Sequence, residues 1–153
     1  MNILKYIKLT TIIIMSFFYI GVGCAHFIFP KQFLIIMPPY LPYPLGLVYI
    51  SGFFEIIFGL LLLFKRFRSF AGWGLILLLL AVFPANVYLY NSDIARELYG
   101  EISKQDALVR MFFQVPLIII AYRHTQNNIY KKFSYICVII SIITILYFCS
   151  ILF

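Results

Sequence analysis

Charge is what this sequence has least of. Of its 153 residues, 11% are Asp, Glu, Lys or Arg and 64% are hydrophobic, against about 25% charged and about 45–50% apolar in soluble domains. That composition excludes a water-soluble globule and predicts an integral membrane protein. Cysteine is limited to Cys24, Cys137 and Cys149, with no C-x-x-C and no close pair. A thiol–disulfide relay needs two thiols able to meet, so the chain cannot be one by itself, and its cysteines read as small apolar residues. The two histidines, His26 and His124, fall near opposite ends of the apolar runs and cannot share one haem iron. No dense cluster of His, Cys, Asp and Glu suggests a metal site. Basic runs no longer than "KRFR" (65–68), with no soluble segment to carry them, exclude a nucleic-acid footprint despite the net charge of +7. Soluble domains, linkers and low-complexity tracts are also missing.

What is present is a series of apolar runs, each near the ~20 residues that cross ~30 Å of hydrocarbon. They predict an all-α integral membrane protein with spans at about 9–29, 45–64, 69–90, 107–123 and 133–153. The expected architecture is a four-helix transmembrane bundle plus a fifth C-terminal helix, a single domain over residues 1–153. Lys5, Lys8, Lys65, Arg66, Arg68, Arg123, Lys131 and Lys132 fall on one side of these spans, and Lys31, Arg96, Lys104 and Arg110 on the other. By the positive-inside rule this bias predicts N-in, C-out, and +7 becomes a signature of topology. The expected location is a bacterial cytoplasmic (inner) membrane, crossed several times. "MNILKYIKL" resembles the start of a cleaved leader. However, Gly21 stands where a lipoprotein-type cleavage before Cys24 would want Leu, and the apolar run continues to Pro30. A retained first span is expected.

Few strongly polar side chains fall inside the spans: His26, Glu55, Asn86, Arg110 and Gln114. A charged group at the bilayer centre costs roughly 2.5–3.5 kcal/mol on insertion scales, so an idle acid in "SGFFEIIFGL" (51–60) is not expected. At 1.5 Å per residue, Glu55 lies roughly 15 Å from the outer end of its span and Gln114 roughly 10 Å from its own. All five belong to the outer half or the midplane. Helical spacing puts Ser16, Tyr19, Gly23 and His26 on one face, Gly52, Glu55 and Gly59 on another, Leu79, Val82, Asn86 and Tyr90 on a third, and Arg110 with Gln114 on a fourth. Small residues mark close helix packing, so Glu55 is expected to face the bundle. Four helices thus bring one polar face each to a shared, outward-opening pocket. Asn86 and Gln114 equally suit ordinary interhelical bonds, and Arg110 suits snorkelling to the headgroups.

Proline shapes the surroundings. Five of the seven prolines lie in "FPKQFLIIMPPYLPYP" (29–44), whose apolar "KQFLIIM" is too short to span. It reads as an interfacial or re-entrant piece able to cover the pocket, with Tyr40 and Tyr43 as headgroup anchors. Pro84 and Pro116 each remove a backbone hydrogen bond near Asn86 and Gln114 and can kink their helices. The loop "NSDIARELYGEISKQDA" (91–107) suits a short helix capped by Ser92 and ended near Gly100.

Several of these motifs together resemble the DoxX-like family of small bacterial membrane proteins. They are His26-Phe27 before the outer loop, "PPYLPYP" (38–44), Ser51-Gly52 with Glu55 four residues after the serine, "FPAN" (83–86), and Arg110 with Gln114 four later. The resemblance covers about residues 10–123. It implies a four-helix membrane bundle, making a fifth helix an addition, and an association with quinone-linked oxidation or with maturation of redox enzymes. Most such proteins have no assigned activity. Some carry cysteine pairs, which this chain lacks.

Three readings follow. An accessory or quinone-handling subunit of a membrane redox system fits an apolar pocket with a few polar groups, Glu55 or His26 accepting a proton and a quinone being the cofactor it suits. A non-enzymatic assembly factor would bind another membrane or redox protein. A small-solute or proton transporter fits least well, because Gly/Pro-broken helix pairs are missing. Catalysis by the chain alone is not expected, and its partners are the lipid bilayer and redox proteins.

Overall fold

The computed structural model describes residues 3–126 together with 135–137, 139–140, 142–143 and 146. Among the described residues all regular structure is helical. The elements are α1 (Ile3–Ile28), α2 (Pro30–Ile35), α3 (Pro44–Leu63), α4 (Arg68–Asn91), α5 (Asp93–Leu98), α6 (Lys104–Phe112) and α7 (Gln114–Thr125). Four helices are long and apolar enough to cross a membrane: Lys5–Ile28, Pro44–Leu63, Arg68–Asn91 and the joined pair Lys104–Thr125. The fifth span expected at 133–153 lies largely outside the described residues. Those described within it are helical, with Cys137 buried and Ile140 packed on the core; Cys149 lies outside them.

Proline and capping chemistry set the boundaries. Phe29 precedes Pro30 and leaves helical geometry, as the residue before proline tends to do, and Pro30 then opens α2. Tyr43 takes a left-handed conformation (φ 50°) and Pro44 opens α3. Ser92 caps α5 by accepting from the Ala95 amide, and Gly100 follows at φ +131°, a backbone conformation suited to glycine. Ser103 and Asp106 form a capping box that starts α6.

The spans depart from expectation in two places. The first helix begins at Ile3, well before residue 9, because Lys5 and Lys8 are good helix formers that extend it past the apolar run. The fourth begins at Lys104 and breaks at Phe113. Pro116 explains the break: it has no N–H for the Phe112 carbonyl, and its ring crowds that turn. Pro84 does not end α4, which continues to Asn91.

In the bundle α3 packs on α1, and α4 contacts α3, α6 and α7. The α1–α3 contact is close because Gly52 has no side chain: a Cβ there would lie 2.6 Å from His26 Cβ and 2.9 Å from the Gly23 carbonyl oxygen. Ser16 donates across the same interface to the Gly59 carbonyl. Gly72 plays the same part between α4 and α7, where a Cβ would sit 2.6 Å from Thr125 Cγ2. Ile12, Met15, Leu62, Leu75, Leu117 and Ile120 belong to one apolar cluster, while Ile36, Leu89, Ala95 and Ala107 form a second, smaller one under the loops. Outside, the bundle is apolar: Phe17 is 67% exposed and Leu77 66%. In water such a surface would be a liability, whereas lipid solvates it.

Candidate functional site

A cavity of about 420 Å³ opens between the two apolar clusters, and His26, Glu55, Asn86, Arg110 and Gln114 all contribute to its wall. Its volume is within the range of small-molecule sites, about 300–1,000 Å³. Most of the remaining wall is apolar, with Leu79, Val82 and Leu117 on one side and Phe33, Ile36 and Met37 above. The last three belong to α2 and the residues just after it, so the short apolar piece between the prolines does cover the chamber. Tyr40 and Tyr43 beyond it are 72% and 86% exposed.

The acid sits beside a histidine. Glu55 Oε2 lies 3.5 Å from His26 Nε2, with side-chain exposures of 13% and 8%. His26 is held from its other nitrogen: Nδ1 is 2.9 Å from the Val48 carbonyl and 3.0 Å from Ser51 Oγ, and Ser51 itself donates to Val48 at 2.9 Å. A carbonyl oxygen only accepts, so Nδ1 carries the hydrogen and Nε2 is turned toward the acid. Phe33 packs against the imidazole with ring centroids 3.7 Å apart. The spacing Ser51–Glu55 puts both side chains on the face of α3 that meets His26, one turn apart.

Glu55 Oε2 nevertheless has no hydrogen-bond partner, and neither does the Tyr19 hydroxyl, which is buried in the same wall. Buried polar groups are nearly always satisfied, and leaving one unmade costs about 1–3 kcal/mol. A carboxyl and a phenol, both unpartnered and both lining one chamber, make a pair of polar contacts for something that enters it.

The other polar groups are already engaged. Asn86 Nδ2 donates to Gln114 Oε1 at 2.9 Å, and Gln114 Nε2 donates to the Leu79 carbonyl. This amide pair ties α4 to α7 beside the proline-induced break. Arg110 Nη1 donates to the Tyr99 hydroxyl at 2.5 Å, with its guanidinium 4.8 Å from that ring's centre. Among the described residues Arg110 has no carboxylate partner. Of the residues expected to shape the pocket, Gly52 and Gly59 act through the α1–α3 contact. Pro84 and Pro116 stand two residues from Asn86 and Gln114 and are not in the wall.

Tyr19 shares the His26 face by helical spacing, but nothing in that spacing distinguishes it from a core aromatic. Phe33 and Tyr99 reach the chamber from outside the spans, by packing that periodicity does not encode. Among the described residues no group of three His, Cys, Asp or Glu side chains comes together.

Four membrane-length helices around a ligand-sized chamber with a buried acid define a polytopic helical membrane protein. The family model described as Domain of unknown function (DUF8561) matches residues 15–125, and the chain belongs to that family. The match includes every cavity residue named above. No curated protein and no solved structure matches the chain.

Proposed function

We propose that the chamber binds the head of a quinone, and that the protein is an accessory or quinone-handling subunit of a membrane redox system. The observation that carries this reading is the pairing of two unpartnered buried polar groups, Glu55 Oε2 and Tyr19 OH, inside an otherwise apolar cavity. A quinone presents carbonyl oxygens that accept from a phenol, and a quinol presents hydroxyls that donate to a carboxylate. Apolar walls suit the ring. In this reading Glu55 and His26 take up or release the proton of the bound head, while electrons pass to or from a partner redox protein. The DoxX-like motifs at His26, Glu55, Asn86, Arg110 and Gln114 support the same assignment.

The wider setting belongs to this proposal. The excess of Lys and Arg at the end holding Lys5, Lys65 and Arg68 favours that end as the cytoplasmic one, which opens the chamber outward across a bacterial inner membrane. The helical residues near Cys137, packed on the core, favour a fifth helix added to the bundle.

The test is to purify the full chain from a quinone-containing membrane and extract it for chromatography. Near-stoichiometric quinone is expected from the wild type, and at least about tenfold less from Glu55→Gln and from Tyr19→Phe. Quinone absent from the wild type, or equal in all three, would overturn the assignment.

A further inference from the structure

At the far end of the bundle a second cleft, of about 430 Å³, is lined by Lys5, Lys8, Lys65, Arg66 and Arg68 together with His124. The five acids of the sequence are Glu55, Asp93, Glu97, Glu101 and Asp106, and every one lies in the other half of the bundle or in its loops. No Asp or Glu follows Asp106. The sequence beyond 126 therefore carries no acidic side chain.

Two of the cations are used within the fold. Arg68 donates from Nε to the Leu62 carbonyl at 2.9 Å and from Nη2 to the Leu63 carbonyl at 3.3 Å, closing the end of α3. Lys8 donates to the Gln126 carbonyl. Lys5, Lys65 and Arg66 stand around the cleft with no carboxylate near them among the described residues.

A further feature favours an anion, and another marks an open hydrogen-bonding position in the wall. The 24-residue helix α4 begins in the cleft, where Ser69 is in its first turn, and its N-cap, Phe67, supplies no side-chain cap. Its first amides and the positive end of its dipole thus belong to the cleft. His124, also in the wall and only 2% exposed, leaves Nδ1 with no hydrogen-bond partner. Its Nε2 is 3.4 Å from Thr11 Oγ1, whose hydrogen goes to the Lys8 carbonyl at 2.9 Å. Nε2 therefore carries the hydrogen and the unpartnered Nδ1 is an acceptor, open to a hydroxyl of the ligand, while the cations and the first amides of α4 are the donors that an anion would use.

We propose that this cleft is a phosphoryl-binding site, its ligand being the headgroup phosphate of an anionic phospholipid. The lipid source follows from position. The cleft lies at the ends of membrane-length helices, and Leu9, Phe64 and Phe67 beside it are 42%, 59% and 44% exposed, an apolar shelf for acyl chains under a cationic site for the head.

Native mass spectrometry of the full chain with equal phosphatidylglycerol and phosphatidylcholine tests it. The wild type is expected to retain the anionic lipid at least about tenfold over the zwitterionic one, a preference that falls as salt is raised. Each juxtamembrane cation is worth roughly fivefold in such binding, so Lys5→Gln/Lys65→Gln/Arg66→Gln should lower affinity for the anionic lipid on the order of 100-fold and abolish the preference. Lys31→Gln/Lys104→Gln, at the other end, should leave it unchanged. Equal retention of both lipids, with inorganic phosphate raising the melting temperature of the wild type and not of the triple variant, would assign the site to a free phosphate and overturn the lipid source. A wild type with neither lipid preference nor a response to phosphate overturns the site itself, whether or not the triple variant folds.

Discussion

The two clefts have nearly equal volumes, about 420 and 430 Å³, and opposite chemistry. Near Glu55 one acid is enclosed by apolar side chains, with His26 Nε2 as a titratable neighbour 3.5 Å away. Near Lys65 several cations gather with no acid at all. The contrast reflects what surrounds each. A charge enclosed by hydrocarbon must be paired inside the protein, since isolated burial is expensive. A charge at the membrane edge can be met by water, salt or a phosphate headgroup. The proposed ligands follow the same division, a neutral, shaped head with few polar groups in the enclosed cleft and a negatively charged headgroup in the edge cleft.

The largest effects should come from filling the close helix contacts beside each cleft. Gly52→Val places methyl groups where a Cβ alone would already be 2.6 Å from His26 Cβ, and Gly72→Val does the same 2.6 Å from Thr125 Cγ2. Overpacking of this kind costs about 1–3 kcal/mol, so both should lower the melting temperature in detergent by several degrees. Ligand readouts should separate them: Gly52→Val loses quinone and keeps the anionic-lipid preference, Gly72→Val the reverse. Loss of both ligands in both variants would mean that the clefts are not independent.

Next in size are the polar groups of the enclosed cleft. Gln114→Leu removes the acceptor of Asn86 and the donor to the Leu79 carbonyl. Interhelical hydrogen bonds in membranes average about 0.6 kcal/mol, with about 1.7 as the upper value measured, so thermal unfolding should show a loss near 1 kcal/mol. Glu55→Gln, nearly isosteric at an oxygen with no partner, should change stability by less than that while still abolishing quinone retention. A Glu55→Gln variant as destabilised as Gln114→Leu would recast the acid as a structural group.

That division was only partly legible in the sequence. Composition and run length predict five spans, of which four are membrane-length helices among the described residues, and a 3–4 spacing puts Glu55 on a face shared with two glycines. Periodicity states which residues share a face but not which face meets which, so the Glu55–His26 contact and the Asn86–Gln114 bond appear only once the helices pack. The same limit hid Tyr19, chemically no different from a buried aromatic until its hydroxyl is seen without a partner. Phe33 arrives from the short helix α2 and Tyr99 from the C-cap of α5, segments whose docking depends on caps and prolines. The basic cleft was visible as a list of cations, read as topology alone; that three chain segments close them around a cavity is a property of the fold.

The smallest effects belong to the edge cleft, and they differ in sign. Arg68→Gln removes the guanidinium that satisfies the Leu62 and Leu63 carbonyls, and should cost about 0.3–1 kcal/mol, the usual scale for a cation at a helix C-terminus. Lys65→Gln removes a like charge from a cluster that has no acid, and should be neutral or stabilising by up to about 0.5 kcal/mol in lipid-free detergent at low ionic strength. Raising salt screens the cluster and should erase the gain, whereas the part of the Arg68 deficit that rests on its hydrogen bonds to Leu62 and Leu63 should persist. Adding an anionic lipid should invert the Lys65 result, because the charge that was repelled now holds a phosphate. A Lys65→Gln variant less stable than wild type in the absence of any anion would mean that its charge is already countered within the protein, and the cationic cleft would then have no need of a ligand.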